Sequence, residues 1–148
     1  SEIRRLAEGN PIVLIHDGVR PFISNETISE NVKCAKKNGN AITVAQAIET
    51  IAVMEEGQTI SEVYERSKCV LAKAPQTFYL QDILEVHKQA QEEGITDAVD
   101  SSSLMFKYGK KLFTVKCSGA NIKITTPEDF YFARALFDME EDKQLKKL

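Results

Sequence analysis

The sequence predicts an α/β fold with a parallel sheet, and two observations carry that prediction. Residues 12–15 are four consecutive apolar residues, a run too short for a helix and too uniform for a half-exposed strand. They fit a strand that is buried on both faces. A helical pattern over 26–37 and a second apolar strand at 41–45 follow. A strand, a helix and a strand at this spacing form a βαβ unit, in which a right-handed crossover joins two parallel strands.

Composition limits the class of protein. The chain has 148 residues, of which 43% are hydrophobic, and this is enough for one domain with its own core. Its net charge is −3 and it has no dense basic run, so we expect no nucleic acid partner. No apolar run approaches the roughly 18 residues of a membrane span, so we expect no membrane partner. The cysteines are scattered without metal-binding spacing, which argues against both a disulfide framework and a zinc site. We therefore expect the protein in a reducing cytoplasm.

Polar residues cluster directly after the first strand. His16, Asp17 and Arg20 lie there, with Gly18 to let the backbone turn and Pro21 to stop a helix from starting. Ligands of open α/β sheets bind beyond the carboxyl ends of strands. Asp17 suits a hard cation and Arg20 suits a phosphate. The alternative is that these two side chains pair only with each other and hold the turn, and the residues alone leave both interpretations open.

The first half of the chain divides into regular elements. Residues 2–9 are predicted to end a helix before Gly-Asn-Pro. Ser24 or Asn25 is expected to cap the helix 26–37, which Asn38-Gly39 ends.

The β-branched residues of the segment 48–63, with the sequence Glu-Glu-Gly-Gln between its halves, predict a hairpin. A two-stranded ribbon is marginal alone and needs a surface to cover it. The residues favour the body of its own domain over a second subunit.

A basic segment with Arg66, Lys68 and Lys73 leads into Ala-Pro-Gln-Thr-Phe at 74–78. It suits a loop that presents side chains, and a solvated edge strand fits nearly as well.

Two helices follow this segment. The apolar stripe of 80–93 predicts the first, with His87 as a packing or rim residue rather than a catalyst. Asp100 is expected to cap a short helix over 101–107.

The end of the chain carries a strand, a lysine and a helix. The strand is predicted at 112–117. Lys123 lies between two isoleucines in a segment that should be at least half-buried, so its ammonium needs a counter-charge. Thr126 is expected to cap the last helix, and the charged tail 140–148 is expected to fray. The buried face of that helix is predicted to be Phe130, Ala133, Leu136 and Phe137.

Three segments resemble the methylerythritol phosphate cytidylyltransferase family, which includes the ribitol 5-phosphate cytidylyltransferases. They are Ile-His-Asp-Gly-Val-Arg-Pro at 15–21, Ala-Pro-Gln-Thr-Phe at 74–78 and Asn-Ile-Lys-Ile-Thr-Thr-Pro-Glu-Asp at 121–129. Their order and spacing match over residues 12–137. The resemblance implies a Rossmann-like nucleotidyltransferase sheet, mostly parallel and three-layered, with a protruding β-hairpin dimerisation arm over 46–66.

The resemblance also implies a reaction, in which CTP and a polyol phosphate give a CDP-polyol and pyrophosphate with Mg²⁺ or another divalent cation. Asp17 resembles the acid that supports the Mg²⁺ or the polyol, Arg20 lies beside it, and Lys123 resembles the lysine that bridges substrate phosphate and nucleotide. Thr50 and Arg66 resemble residues that complete the pocket of a neighbouring subunit. This implies a homodimer through the hairpin 48–63, against the interpretation that the residues alone favour.

The departures from the family concern its start and its acceptor pocket. The family begins with a Gly-rich loop that ends in Pro-Lys-Gln, which this sequence lacks, so we expect residues 1–148 to be the C-terminal portion of one longer domain. Ala74 and Val99 stand where threonines are usual, the latter before Asp100. The lost hydroxyls would face the polyol, which favours ribitol 5-phosphate over methylerythritol phosphate, with Lys73, Ser101 and Ser102 as new donors. The alternative function is a non-catalytic dimerisation or accessory module that keeps the fold.

Overall fold

A computed structural model describes residues 9–145, with side chains up to residue 142. The elements in chain order are β1 (Ile12–Ile15), α1 (Asn25–Asn38), β2 (Asn40–Gln46), β3 (Ala52–Met54), β4 (Ile60–Val63), a 3-10 turn (Arg66–Lys68), β5 (Val70–Tyr79), α2 (Leu80–Glu92), α3 (Ser101–Lys107), β6 (Thr114–Lys116) and α4 (Pro127–Leu145). The helix predicted at 2–9 lies outside the described residues, apart from its last residue. No helix in the described part of the chain is long and apolar enough to cross a membrane.

The central sheet is mixed rather than mostly parallel. Its strand order is β1-β5-β2-β6, where β5 is antiparallel to both β1 and β2, and only β2 and β6 are parallel. The prediction of a mostly parallel sheet is therefore wrong for the described strands. The strands β1 and β2 do run in the same direction, as the βαβ pattern predicts, but β5 lies between them. The hairpin is the reason. It connects the end of β2 to the start of β5 at the same edge of the sheet, so β5 runs back alongside β2 in the opposite direction.

Helices cover both faces of this sheet. On one face Ile42 and Val44 of β2 pack with Phe78 of β5 and with α2 and α3, and the buried members from those helices are Ile83, Val86, Ala90, Leu104 and Met105. Thr43 points to the opposite face because side chains alternate along a strand, and there it bonds to Asn31 of α1. This arrangement has the three layers that the family resemblance implies.

The first strand is less buried than its sequence predicts. Ile12, Val13 and Leu14 are half-buried and Ile15 is 41% exposed. Among the described residues, β1 pairs only with β5, so one edge of it has no neighbour. The prediction of a parallel strand buried on both faces is therefore wrong for β1 as the described residues place it.

The helix ends agree with the capping signals in the sequence. Ser24 accepts a hydrogen bond from the amide of Thr27, and Gly39 ends α1 with a left-handed φ of 93°. Asp100 caps α3 through the amide of Ser103 at 2.7 Å. At the start of α4 the amide of Thr126 donates to Asp129, in addition to the reciprocal bond from the Asp129 amide to the Thr126 hydroxyl.

The predicted hairpin is present as a separate two-stranded sheet of β3 and β4. Every residue of both strands is exposed, so the hairpin does not rest on the body of its own domain. The interpretation that the residues alone favoured is therefore wrong within the described chain. Its turn contains Gly57 and Gln58, both with positive φ.

The apolar face predicted for α4 is only partly buried, because periodicity shows that a face is apolar but not which residues cover it. Phe130 and Phe137 of α4 are 60% and 55% exposed, whereas Ala133 is buried and Leu136 half-buried. The helix touches the described body along a narrow strip only. It also continues to Leu145, into the charged tail 140–148. His87 is exposed on α2, which fits the predicted rim position rather than the packed one.

Candidate functional site

An ion pair between Arg20 and Asp17 holds the loop after β1. The Arg20 amide donates to the Asp17 carbonyl at 3.0 Å, which forms the turn that the glycine and proline predicted. The Arg20 Nε donates to Asp17 Oδ2 at 2.9 Å. Lys123 Nζ lies 3.7 Å from the same oxygen, and its side chain is 49% exposed, about the half-burial that the sequence predicts. One carboxylate therefore holds two cations, which gives Lys123 the counter-charge that its position required.

The carbonyl oxygen of Asn121 continues this cluster. It accepts a hydrogen bond from Arg20 Nη1 at 2.9 Å and another from Lys73 Nζ at 2.9 Å. Asn121 is 3% exposed, and its side-chain amide donates to the Ala74 carbonyl at 2.8 Å. The segment that follows it is irregular, not a strand, and is tied to the β1 loop by the Ile124 amide, which donates to the Val19 carbonyl. Asn121 thus joins three parts of the site, namely the β1 loop, β5 and the segment carrying Lys123.

A second polar group lies between β5 and α3. The Gln76 side chain donates to Asp100 Oδ2 at 2.8 Å and accepts from the Ser102 amide at 2.8 Å. Partial burial raises the pKa of the Asp100 carboxyl, but hydrogen bonds from Ser103, Gln76 and Ser102 outweigh it, so the net pKa is below its ordinary value. Asp100 is therefore an ionised acceptor at neutral pH.

These groups line one cavity of about 300 Å³ at the carboxyl end of β1. Of the predicted site residues it contains Asp17, Arg20, Ala74, Val99, Asp100 and Lys123, and it also contains Lys73, Gln76 and Ser101. The lining carries two groups of polar residues. Arg20, Lys73 and Lys123 are linked through the shared oxygens of Asp17 and Asn121, whereas Asp100 is linked to Gln76 and is followed by Ser101. A larger shallow groove of about 430 Å³ between α1 and β6 has no comparable convergence of buried polar groups.

Two predicted residues lie outside the cavity. Thr50 is exposed ahead of β3, and Arg66 is exposed at the base of the hairpin, where its Nη1 donates to the Ile48 carbonyl at 3.2 Å. Within one subunit the structure does not bring them to the site. The prediction that they act on a neighbour needs a second copy of the chain.

The surroundings of Asp17 do not fit a metal ion held by the protein. The described residues include no group of three or more His, Cys, Asp or Glu placed to hold a metal. Mg²⁺ takes near-octahedral oxygen ligands. Asp17 is one carboxylate, and its Oδ2 is already shared by Arg20 and Lys123, two cations that repel a third.

Two residues of the site, Gln76 and Asn121, belong to the motifs at 74–78 and 121–129, but the sequence predicted no role for them. Gln76 and Asn121 act by orienting other groups, one through its side chain and the other mainly through its backbone carbonyl. Only Asn121 has a local signal, because it is a polar residue between Ala120 and Ile122 next to a segment expected to be at least half-buried. The partners of both Gln76 and Asn121 are distant in sequence, so the pattern alone could not assign them.

The fold and the site define an α/β protein with a cation-rich pocket. The family model for IspD, 2-C-methyl-D-erythritol 4-phosphate cytidylyltransferase, matches residues 1–139. The chain therefore belongs to this cytidylyltransferase family.

Curated relatives carry both acceptor names. A ribitol-5-phosphate cytidylyltransferase of Streptococcus agalactiae is 49% identical over 141 residues, which are 95% of this chain and 59% of that protein. A 2-C-methyl-D-erythritol 4-phosphate cytidylyltransferase of Clostridium acetobutylicum is 39% identical over 84% of this chain and 54% of its own length. The chain thus spans little more than half the length of these relatives.

A solved structure supports the fold. The 4-diphosphocytidyl-2C-methyl-D-erythritol synthase of Anaerococcus prevotii superposes with a TM-score of 0.83 at 27% identity, over 93% of this chain and 61% of that one.

Proposed function

We propose that the whole protein transfers CMP from CTP to a polyol phosphate and releases pyrophosphate. The observation that carries this proposal is the cluster of Asp17, Arg20 and Lys123 at the carboxyl end of β1, in a chain of the cytidylyltransferase family. Three cations in the same cavity, including Lys73, suit a reaction between two phosphorylated substrates. A nucleoside triphosphate as substrate and three free cysteines are consistent with the cytoplasm, which we propose as the compartment.

The chemistry is a phosphoryl-centred substitution. A phosphate oxygen of the acceptor forms a new bond to the α-phosphorus of CTP, and the bond from that phosphorus to the oxygen of the leaving pyrophosphate breaks. Catalysis of such a step consists mainly of aligning the groups and neutralising charge. Lys123 and Arg20 would bind the phosphates. Asp17 would hold both cations in position, since it contacts each of them.

We propose ribitol 5-phosphate as the acceptor, in preference to 2-C-methyl-D-erythritol 4-phosphate. Ala74 and Val99 line the cavity without a hydroxyl. The 49% identity to a relative named for ribitol 5-phosphate supports the same choice, compared with 39% to one named for methylerythritol phosphate. A buried hydrogen bond that is missing costs about 1–3 kcal/mol, or roughly ten- to hundred-fold in specificity.

The test is pyrophosphate release by the full-length protein with each acceptor, for the wild type and for Ala74→Thr/Val99→Thr. We expect the wild type to prefer ribitol 5-phosphate and the double variant to shift towards methylerythritol phosphate. A wild type that prefers the latter by about ten-fold would contradict the acceptor. No release with any polyol phosphate would contradict the enzyme and favour the accessory module.

We also propose a homodimer in which the hairpin of one subunit reaches the site of the other. The hairpin exposes Ile48, Met54, Ile60 and Val63, each by more than half of its surface, and carries Arg66 and Thr50 away from its own cavity. A thin ribbon with these apolar side chains gains stability when a two-fold-related copy covers it. In mixed full-length dimers, Arg66→Ala and Asp17→Ala subunits should together recover activity, because one of the two sites is then intact. Absence of recovery in verified heterodimers would contradict the shared site.

A further inference from the structure

Lys73 is the cation of the cavity that has no carboxylate of its own. It lies on β5, and Nζ donates to the Asn121 carbonyl, an oxygen that Arg20 also uses. No acidic side chain in the described residues forms an ion pair with it, in contrast to Arg20 and Lys123, which share Asp17. An ammonium has three N–H groups, so two of them remain for a ligand in the cavity that Lys73 lines.

The surroundings of Lys73 disfavour its charge as they stand. Burial lowers the pKa of the Lys73 ammonium most, the charge interaction with Cys117 raises it, and the positive charge of Arg20 lowers it, so the net pKa is below its ordinary value. A neutral carbonyl shared by two cations compensates neither of them fully. An anion placed among Lys73, Arg20 and Lys123 would relieve this repulsion, and a phosphate can accept from all three.

The Asp100 group of the cavity indicates what the anion is attached to. The ionised Asp100 carboxylate suits hydroxyl groups and repels phosphates, and the neighbouring Ser101 hydroxyl can also bond a hydroxyl group. A ligand with a phosphate at one end and hydroxyls at the other fits both groups. A triphosphate is less suited to the surroundings of Asp100, because it would face a carboxylate.

We propose that Lys73 binds the phosphate of the acceptor and is a specificity-determining residue for phosphorylated polyols. This inference rests on the proposed function and adds a third cation to the pair that Asp17 holds. Lys73 acts on the acceptor and not on the nucleotide.

The experiment compares Lys73→Met and Lys73→Arg in the full-length protein, with Lys33→Met as a control. Lys33 is exposed on α1 and paired with Glu30, so its loss removes the same charge away from the cavity. Calorimetry measures the Kd of ribitol 5-phosphate and of CTP separately, and thermal unfolding checks that each variant is folded. We expect Lys73→Met to raise the Kd of ribitol 5-phosphate about tenfold or more and to leave that of CTP within about twofold, because one charge-assisted hydrogen bond is lost. Lys73→Arg should recover most of the affinity, and Lys33→Met should behave as the wild type.

The outcomes separate this inference from the proposed function. An unchanged acceptor Kd in a folded Lys73→Met variant, or an equal loss for CTP, overturns the role of Lys73 even if the wild type turns over normally. A wild type that releases no pyrophosphate but binds ribitol 5-phosphate in a Lys73-dependent way overturns the activity and retains the phosphate contact. A wild type that binds no ribitol 5-phosphate overturns both.

Discussion

At the scale of single residues, the site depends on groups that share partners. Asp17 Oδ2 serves two cations, and the Asn121 carbonyl also serves two, with Arg20 common to both. Each of these cations therefore shares its acceptor with another cation. Loss of one shared acceptor should disturb several contacts at once, so the effects of substitutions here should not be additive.

Asp17→Asn is expected to lower kcat/KM by about ten- to hundred-fold, because the neutral amide no longer fixes Arg20 and Lys123. The Mg²⁺ concentration that gives half the maximal rate should stay within about twofold, since the surroundings of Asp17 do not fit a metal held by the protein. Both are measured by pyrophosphate release in a magnesium titration. A large rise in that concentration would identify Asp17 as a metal ligand after all.

The lowered pKa of Asp100 predicts a dependence of stability on pH. A carboxyl whose folded pKa lies below its ordinary value of 3.8 contributes stability that is full above 3.8 and is lost as the pH falls through the folded pKa. Asp100→Asn keeps the helix cap but removes the charge. The wild type should exceed this variant in urea unfolding at about pH 7, and the difference should shrink towards about pH 3. A difference independent of pH would contradict the prediction.

At the scale of elements, a buried polar cluster holds α1 against the sheet. Asn31 donates to Thr43 Oγ1 at 2.9 Å, and that hydroxyl donates to the Pro75 carbonyl at 2.6 Å. Thr77 donates to the Asn31 Oδ1. Asn31, Thr43 and Thr77 have no exposed surface. Because Pro75 lies between two residues of the cavity, this cluster connects the packing of α1 to the site.

Thr43→Val should destabilise the protein by about 1–3 kcal/mol, because the change preserves shape but leaves the Pro75 carbonyl and the Asn31 amide short of a partner. Thr114→Val is the matched control, since Thr114 is an exposed residue of β6, and it should change the free energy of unfolding by less than about 0.5 kcal/mol. Urea unfolding measures both. Equal effects of the two substitutions would show that the buried hydroxyl has no special role.

At the scale of the whole molecule, the exposed hairpin needs a partner. Ile60 is 66% exposed and lies opposite Met54, which is 72% exposed. Isolated two-stranded ribbons are marginal in water, so these side chains are more stable when a second surface covers them.

Ile60→Asp in the full-length protein should shift the population from dimer to monomer, because it places a charge in the apolar interface that we propose. Thr59→Asp introduces the same charge next to it in the turn and should leave the dimer intact. Light scattering over a dilution series measures the mass of both variants. A dimeric Ile60→Asp variant, or a wild type that is monomeric, would contradict assembly through the hairpin.

Local signals in the sequence by themselves determined most elements and their ends, because caps, turns and apolar periods act within a few residues. Ser24, Asp100 and Thr126 cap the starts of their helices, and Gly39 ends α1, as predicted. The grouping of Asp17, Arg20 and Lys123 came from a family resemblance across three segments. Only the tertiary structure decided the antiparallel placement of β5, the exposure of α4 and the positions of Gln76 and Asn121 in the site. These depend on partners far away in the chain, and a pattern that shows an apolar or polar face does not show which distant residue meets it.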